Sequence, residues 1–418
     1  MLILKLAFRN ILRNRRRSLL TLLSMGGGFF LLCITLSMSE GSYSNIINIF
    51  TQDHTGHVQI HQQDYLERPS LYKTINTANA LLELLSENQQ VVAAAPRVYG
   101  PSLAYGKNKT FPAQVIGIDP IKEAQTTRLK SKVNQGEYLT IGMTEAGYFP
   151  AMIGYSLAKN LSLSLGDELV LISQGIDGSI ANDIFIVSAI VGDESSYEKM
   201  NVYLSLPAMQ EFLTMGQGDN SQVHQVAIRL QHQSLARTFA DAMQKQFADS
   251  ELFTGNEFRV SPWQVVESAF YNSMQADKKG SYVSMGIIIF IVSIGVLNTI
   301  LMGTLERTRE FGVLKAIGTR PAAVFMLIML ESLALAMVSC ILGLLLSLPV
   351  CFWLASQGIA MPEPIDMGGI VFDTMLGEVS WYIIWVPSLV VIISTLLVSF
   401  IPAIRAAQIS PLKALQAV

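Results

Sequence analysis

Four uninterrupted apolar runs divide the sequence, at residues 18–38, 282–304, 322–348 and 381–402. Each is close to the roughly 20 residues that a helix needs to cross the hydrocarbon of a bilayer. A long polar stretch, 39–281, separates the first run from the second, whereas only 305–321 and 349–380 separate the others. The pattern predicts a membrane protein with four transmembrane α-helices and a large α+β extracytoplasmic (periplasmic) domain between spans 1 and 2. A cleaved leader would have a shorter apolar core and a small-residue cleavage site. Here SMSEGSYSNIINIF (37–50) continues a helical pattern, so the first span is expected to be a retained anchor. Gly26, Gly27 and Gly28 inside it allow either close helix approach or a local bend.

Within 39–281, strand-like alternation marks 56–60, 112–118, 167–172, 183–191, 201–206 and 224–230. Helical periodicity marks 77–88, 155–163, 207–215 and 235–247. Strands and helices in this mixed order predict an α+β domain, read as two lobes.

Charge sets the orientation. Residues 1–17 carry six cations and no acid and are predicted to form an amphipathic helix at the membrane surface. The 305–321 segment and the 403–418 tail are also net basic, while 349–380 holds Glu363, Asp366, Asp373 and Glu378 without a cation. The positive-inside bias then predicts cytoplasmic termini, a cytoplasmic 305–321 segment and external 39–281 and 349–380 segments. The 39–281 domain has 17 basic against 25 acidic residues, a net of −8, which argues against nucleic acid as a partner. Half the whole chain is hydrophobic and 15% is charged, as four spans require. Cys33, Cys340 and Cys351 all lie in apolar runs, so no disulfide framework serves the large domain. His54, His57 and His61 lack nearby cysteines and are read as surface histidines; no metal site is expected. Glu331, about ten residues into the third span, is costly in lipid. It marks either a functional carboxylate or one hydrogen-bonded to Ser or Thr of a neighbouring span.

The short segment TLERTREFGVLKAIGTR (304–320) has a helical period of its own. Leu305, Phe311, Leu314 and Ile317 form its apolar side, and Glu306, Arg307, Arg309, Glu310 and Lys315 the charged one. Glu306 with Glu310 and Arg307, and Glu310 with Lys315, can interleave signs along the exposed face. Gly318 followed by Pro321 ends the helix. Such a helix either lies on lipid or docks into a partner, and four cations against two acids attract lipid weakly.

ERTREFGVLKAIGTR resembles the cytoplasmic coupling segment of FtsX-like permeases, the family of the lipoprotein-release and MacB-type macrolide-export transporters. LAFRNILRNRRRSLLTLL (6–23) and IPAIRAAQISPLKAL (401–415) are similar to its terminal signatures. The resemblance implies a multi-pass protein of the inner membrane, a non-catalytic permease subunit of an ABC transporter. It implies a cytoplasmic ATPase dimer gripping Glu306, Arg307, Arg309, Glu310, Gly312, Lys315 and Gly318, and a second permease chain, identical or homologous. ATP and magnesium would be bound by the ATPase, and this sequence holds no Gly-x-x-x-x-Gly-Lys-Ser/Thr loop. The implied work is extraction of a lipoprotein, lipid or amphipathic substrate from the outer leaflet, with delivery to a periplasmic acceptor protein. TGHVQIH (55–61) looks closer to the lipoprotein-release branch than to MacB-like drug or peptide efflux. Substrate contacts are expected at the outer ends of the first two spans, from Phe29, Phe30, Met38, Ile46 and Phe50 on one and Tyr282, Met285 and Ile289 on the other. These side chains equally suit lipid or the second permease chain. A four-span sensor that transports nothing is the competing class.

Overall fold

The apolar runs form four long helices, Arg15–Phe50, Ser268–Glu306, Pro321–Ser356 and Trp381–Gln408, each long and apolar enough to span a membrane. The computed structural model describes residues 15–216, 218, 221–249, 257–366 and 371–410. The basic segment before residue 15 and the tail beyond 410 lie outside the described residues. Two units compose the chain: a membrane unit and a large domain, the latter comprising residues 45–273 with 362–373.

The first two helices run well beyond the apolar stretches that predict them. Within the membrane unit, Lys278 Nζ meets Glu40 at 3.0 Å, and Tyr43 Oη donates to Asp277 at 2.5 Å, tying the two together. The third helix passes through Pro349 to Ser356, and β-strands follow at Ile359–Asp366 and Val371–Met375. The 349–380 segment thus begins as helix and carries a strand pair at its middle. The glycine question is also answered. The first helix is unbroken, and a Cβ at Gly28 would lie 2.5 Å from Val292 Cγ2, so this glycine serves close approach. Gly343 does the same for Phe29, whose ring a Cβ there would meet at 2.6 Å.

Within residues 58–262 of the large domain the described strands form one ten-stranded sheet. They are β1 Val58–Gln62, β2 Val91–Gly106, β3 Lys109–Ile118, β4 Val133–Gly136, β5 Phe149–Gly154, β6 Glu168–Gln174, β7 Ile180–Val191, β8 Asn201–Ser205, β9 Gln225–Leu230 and β10 Phe258–Pro262. The sheet order is β10-β1-β9-β2-β3-β8-β5-β7-β4, with β6 pairing both β2 and β7. β6 thereby closes β2, β3, β8, β5, β7 and itself into a six-stranded ring. The 16-residue β2 belongs to both parts: Arg97–Gly106 pairs β3 within the ring, and Val91–Arg97 pairs β9 outside it. The two lobes expected from sequence are thus one continuous sheet sharing a strand.

The three histidines read as surface residues are not. His57 and His61 are buried, the latter 1% exposed, and both lie at or beside β1. The Leu230 N–H donates to His57 Nδ1 at 2.9 Å, which requires the neutral ring. Burial, reinforced by the charge of Arg229, pushes His57 down to about 4. His61, buried against Tyr65 and Gln225, is likewise held at about 4, and the half-buried His54, near Arg97 and Lys132, at about 3. A histidine whose folded pKa lies below its unfolded value near 6.5 favours folding above that value and loses this contribution as pH falls toward the folded one. Thermal unfolding of the purified chain should therefore be flat above about pH 7 and weaken between about pH 6.5 and 4, by up to about 1.4 kcal/mol per histidine per pH unit. His57→Asn, which keeps an acceptor for Leu230, should flatten that slope; an unchanged profile would remove His57 from the account.

Candidate coupling site

Three features of the backbone shape the segment between the second and third spans. The second long helix ends at Glu306, and Arg307 (φ −100°, ψ 13°) interrupts it before a short coupling helix, Thr308–Ala316. That helix stops where Gly318 takes φ +98°. The Gly318 N–H bonds the Lys315 carbonyl and the Thr319 N–H bonds Leu314, a Schellman ending that favours glycine. Pro321 then opens the third span at its first turn, where no N–H is needed.

The break at Arg307 turns its side chain inward. Its Nη1 lies 2.8 and 3.1 Å from the two carboxylate oxygens of Glu331, and its Nε lies 3.0 Å from Glu310 Oε2. The guanidinium also sits 5.3 Å from the centre of the buried Phe311 ring. The Arg307 and Glu331 side chains are only 8% and 11% exposed. A cavity of about 30 Å³ adjoins the pair, with polar walls from Thr21, Thr299, Thr304 and Ser332. Glu331 is thus an ion-paired carboxylate whose partner Arg307 comes from the coupling segment. One signal pointed there: a lone acid in a span whose preceding turn is rich in cations.

Lys315 also departs from expectation. In place of a pairing with Glu310, its Nζ donates to the carbonyls of Ala407 and Ile409 at 2.7 and 2.6 Å. It caps the end of the fourth long helix, where unpaired carbonyls and the helix dipole attract a cation. Phe311 and Leu314 pack inward beside Val324, Ile328 and Ala403. Leu305 and Ile317, expected on that apolar side, are exposed, because the interruption at Arg307 shifts the helical phase. The outward surface combines Glu306, Arg309 and Glu310 with Leu305, Val313 (47% exposed) and Ile317 (75%). Gly312 is buried, so it supports the helix from within.

Of the eight residues expected to touch substrate, Phe29, Met285 and Ile289 share one interior cluster with Leu32, Cys33 and Ile383. Met38 and Phe30 are half-buried and Tyr282 is exposed. Ile46 and Phe50 belong to the large domain, where Phe50 stacks on Phe270 at 4.4 Å.

Sequence reading also missed a buried charged cluster inside the large domain. Arg97 is held bidentately by Glu123 at 2.7 and 3.0 Å and donates to the His54 carbonyl at 2.7 Å. Lys132 bridges Asp53 and Glu198 at 3.0 and 2.7 Å. His54 and Asp53 lie in the π-helical turn Thr51–Thr55 that follows the first long helix, so these cations grip its end. Nothing in the spacing of these residues announces the cluster.

The sequence matches the family described as MacB-like periplasmic core domain over residues 18–246, and that described as FtsX-like permease C-terminal over residues 282–411. The chain belongs to the MacB-like, FtsX-like permease family. It is 22% identical to the lipoprotein-releasing system transmembrane protein LolC of Xylella fastidiosa, over 98% of each chain. LolE of Haemophilus influenzae is also 22% identical, over 82% of this chain and 81% of that one. The macrolide export ATP-binding/permease protein MacB of Sodalis glossinidius is 21% identical over 99% of this chain and 60% of its own length. Among solved structures, the periplasmic region of MacB from Actinobacillus actinomycetemcomitans is similar over 54% of this chain and 96% of that one, with 15% identity and a TM-score of 0.39. This FtsX-like permease is therefore the membrane component of an ABC transporter, a multi-pass inner-membrane protein.

Breaking a buried ion pair from one side leaves an uncompensated charge, at a cost of about 3–5 kcal/mol. Arg307→Met and Glu331→Met should each lower the unfolding temperature of the purified permease by several degrees. The double variant should recover most of the loss. Additive losses would mean that the two side chains do not support each other.

Proposed function

We propose that this permease converts ATP hydrolysis by a separate cytoplasmic ATPase dimer into movement of its periplasmic domain, and so lifts an amphipathic substrate, a lipoprotein first, from the outer leaflet. The observation that carries the reading is the division of the coupling segment into an inward half and an outward half. Arg307, Phe311 and Lys315 anchor it to the third and fourth spans, while Arg309, Val313 and Ile317 face away. A mixed apolar and charged ridge beside a membrane suits a protein groove better than lipid. ATP and magnesium belong to the ATPase, and this chain needs no cofactor of its own. The basic 1–17, 305–321 and 403–418 segments support cytoplasmic termini.

ATPase closure would push on the ridge, and the anchors would pass the push into the spans. The first two long helices, unbroken well past their apolar stretches, would carry it outward. A second permease chain completes the assembly, and a periplasmic acceptor protein takes the released substrate. The match to LolC over 98% of both chains supports the lipoprotein branch over efflux.

Arg309→Glu combined with Val313→Glu should release the ATPase from purified membranes, because unlike-to-like charge changes at an interface cost several kcal/mol. The unfolding temperature should not move, since neither side chain is inward. Retained ATPase at wild-type levels would favour a lipid-surface role for the ridge.

Substrate should be captured by a photo-crosslinker at Met38 or Tyr282 without ATP and lost after ATP is added. Crosslinks to lipid alone at both positions would place the substrate elsewhere.

A further inference from the structure

Three of the four tryptophans of the chain, Trp353, Trp381 and Trp385, gather where the third long helix ends and the fourth begins. Their side chains are 48%, 78% and 65% exposed, whereas Trp263 is buried in the large domain. Main-chain bonds fix their relative heights. The Gly377 N–H donates to the Leu354 carbonyl at 2.9 Å, and the Glu378 N–H to the Ser37 carbonyl at 3.0 Å. Cys33 Sγ, one turn further in on the first helix, donates to the Ile383 carbonyl at 3.3 Å. Trp381 therefore enters close to the height of Trp353, and Trp385 follows one turn, about 6 Å, further in.

Polarity changes across this height. Toward the middle of the two helices the exposed side chains are Ile341, Leu345, Leu389 and Ile393. Toward their ends Ser356 and Gln357 are exposed, and Glu378 and Ser380 partly so. Trp353 is turned to match: its indole N–H donates to Gln357 Oε1 at 3.0 Å, one turn nearer the polar end. An indole, with an apolar body and a single N–H donor, is best placed where hydrocarbon gives way to hydrated headgroups. The length of the fourth helix agrees. Trp385 and Arg405, an exposed cation in its last turn, are 20 residues apart with no charged residue between them. That is about 30 Å of helix, the thickness of a hydrocarbon layer.

We propose that Trp353, Trp381 and Trp385 form an aromatic shelf seated in lipid headgroups, which sets the level at which the bilayer surface crosses the membrane unit. The partner of this surface is lipid: apolar side chains on one side of the rings meet acyl chains, and polar ones on the other meet water. Trp353 and Trp381 lie among the headgroups, and Trp385 at the top of the hydrocarbon. Ser37 shares the level, so the Lys278–Glu40 ion pair, about one turn beyond it, stands in the hydrated layer. Assigning the shelf to the outer leaflet rests on the orientation proposed above; the depth of the rings does not.

The test is fluorescence of the full chain in phosphatidylcholine vesicles whose acyl chains carry bromine near the headgroup, at mid-chain or near the bilayer centre. Bromine quenches tryptophan on contact, so the most effective position reports the depth of the ring. Variants would keep one tryptophan each, with the other three replaced by phenylalanine. Trp353 and Trp381 should be quenched most by bromine near the headgroup, and several-fold less by bromine near the bilayer centre. Trp385 should respond more to mid-chain bromine than Trp381 does. Trp263 alone should be unquenched and serves as the control. The wild-type chain, which needs no substitution, should follow the order of the first two, since three of its four tryptophans share the shelf. Strongest quenching from the bilayer centre would show the rings immersed and overturn the shelf. No quenching at any depth would show them covered by protein rather than lipid, and would overturn it equally. Either result leaves the proposed orientation and ATPase docking untouched.

Discussion

A carboxylate set inside an apolar span is tolerated only when a cation reaches it, and Arg307 reaches Glu331 from the short segment between the second and third spans. Much else in the membrane unit follows from that requirement. To bring the guanidinium inward, the second helix has to break after Glu306, and the coupling helix has to restart in a new phase. The new phase buries Phe311 beside the cation and turns Arg309, Val313 and Ile317 outward. The pair also makes the coupling helix and third span a single mechanical piece, because separating them would strand two charges.

The same device recurs in the large domain. Arg97 with Glu123, and Lys132 with Asp53 and Glu198, hold the π-helical turn at the end of the first long helix. π-helical turns are uncommon and concentrate where function needs an altered helix. Directional charged bonds fix the register of this turn more firmly than apolar packing, which permits shifts at little cost. Buried neutral histidines surround this region and make it sensitive to acid rather than to small changes near neutrality.

The four spans, the coupling segment and the family were legible in the sequence because apolar length and charge asymmetry are one-dimensional signals. Six strands and four helices of the large domain were legible for the same reason. β2 was not: VVAAAPRVYGPSLAYG contains two prolines and many small residues, and it alternates clearly only in its second half. Its role is also non-local, since it joins a ring of strands to an open edge. Side-chain assignments within the coupling segment failed where one residue, Arg307, breaks the period. No count of residues reveals such a phase change. The histidines failed in a different way. A polar residue in a polar stretch reads as surface until a backbone N–H, here that of Leu230, is found bonding its ring.

The central claim is that the Arg307–Glu331 tie carries ATP-driven movement from the coupling helix into the spans. It is tested most directly by spin labels at Ile180, an exposed residue of the large domain, in both permease chains of the assembly with its ATPase bound. The distance between labels would be measured with and without ATP. In the wild type the distribution should shift on ATP binding. In Arg307→Met/Glu331→Met, which retains packing and ATPase docking but lacks the tie, the shift should be lost. A shift of wild-type size in the double variant would contradict the account.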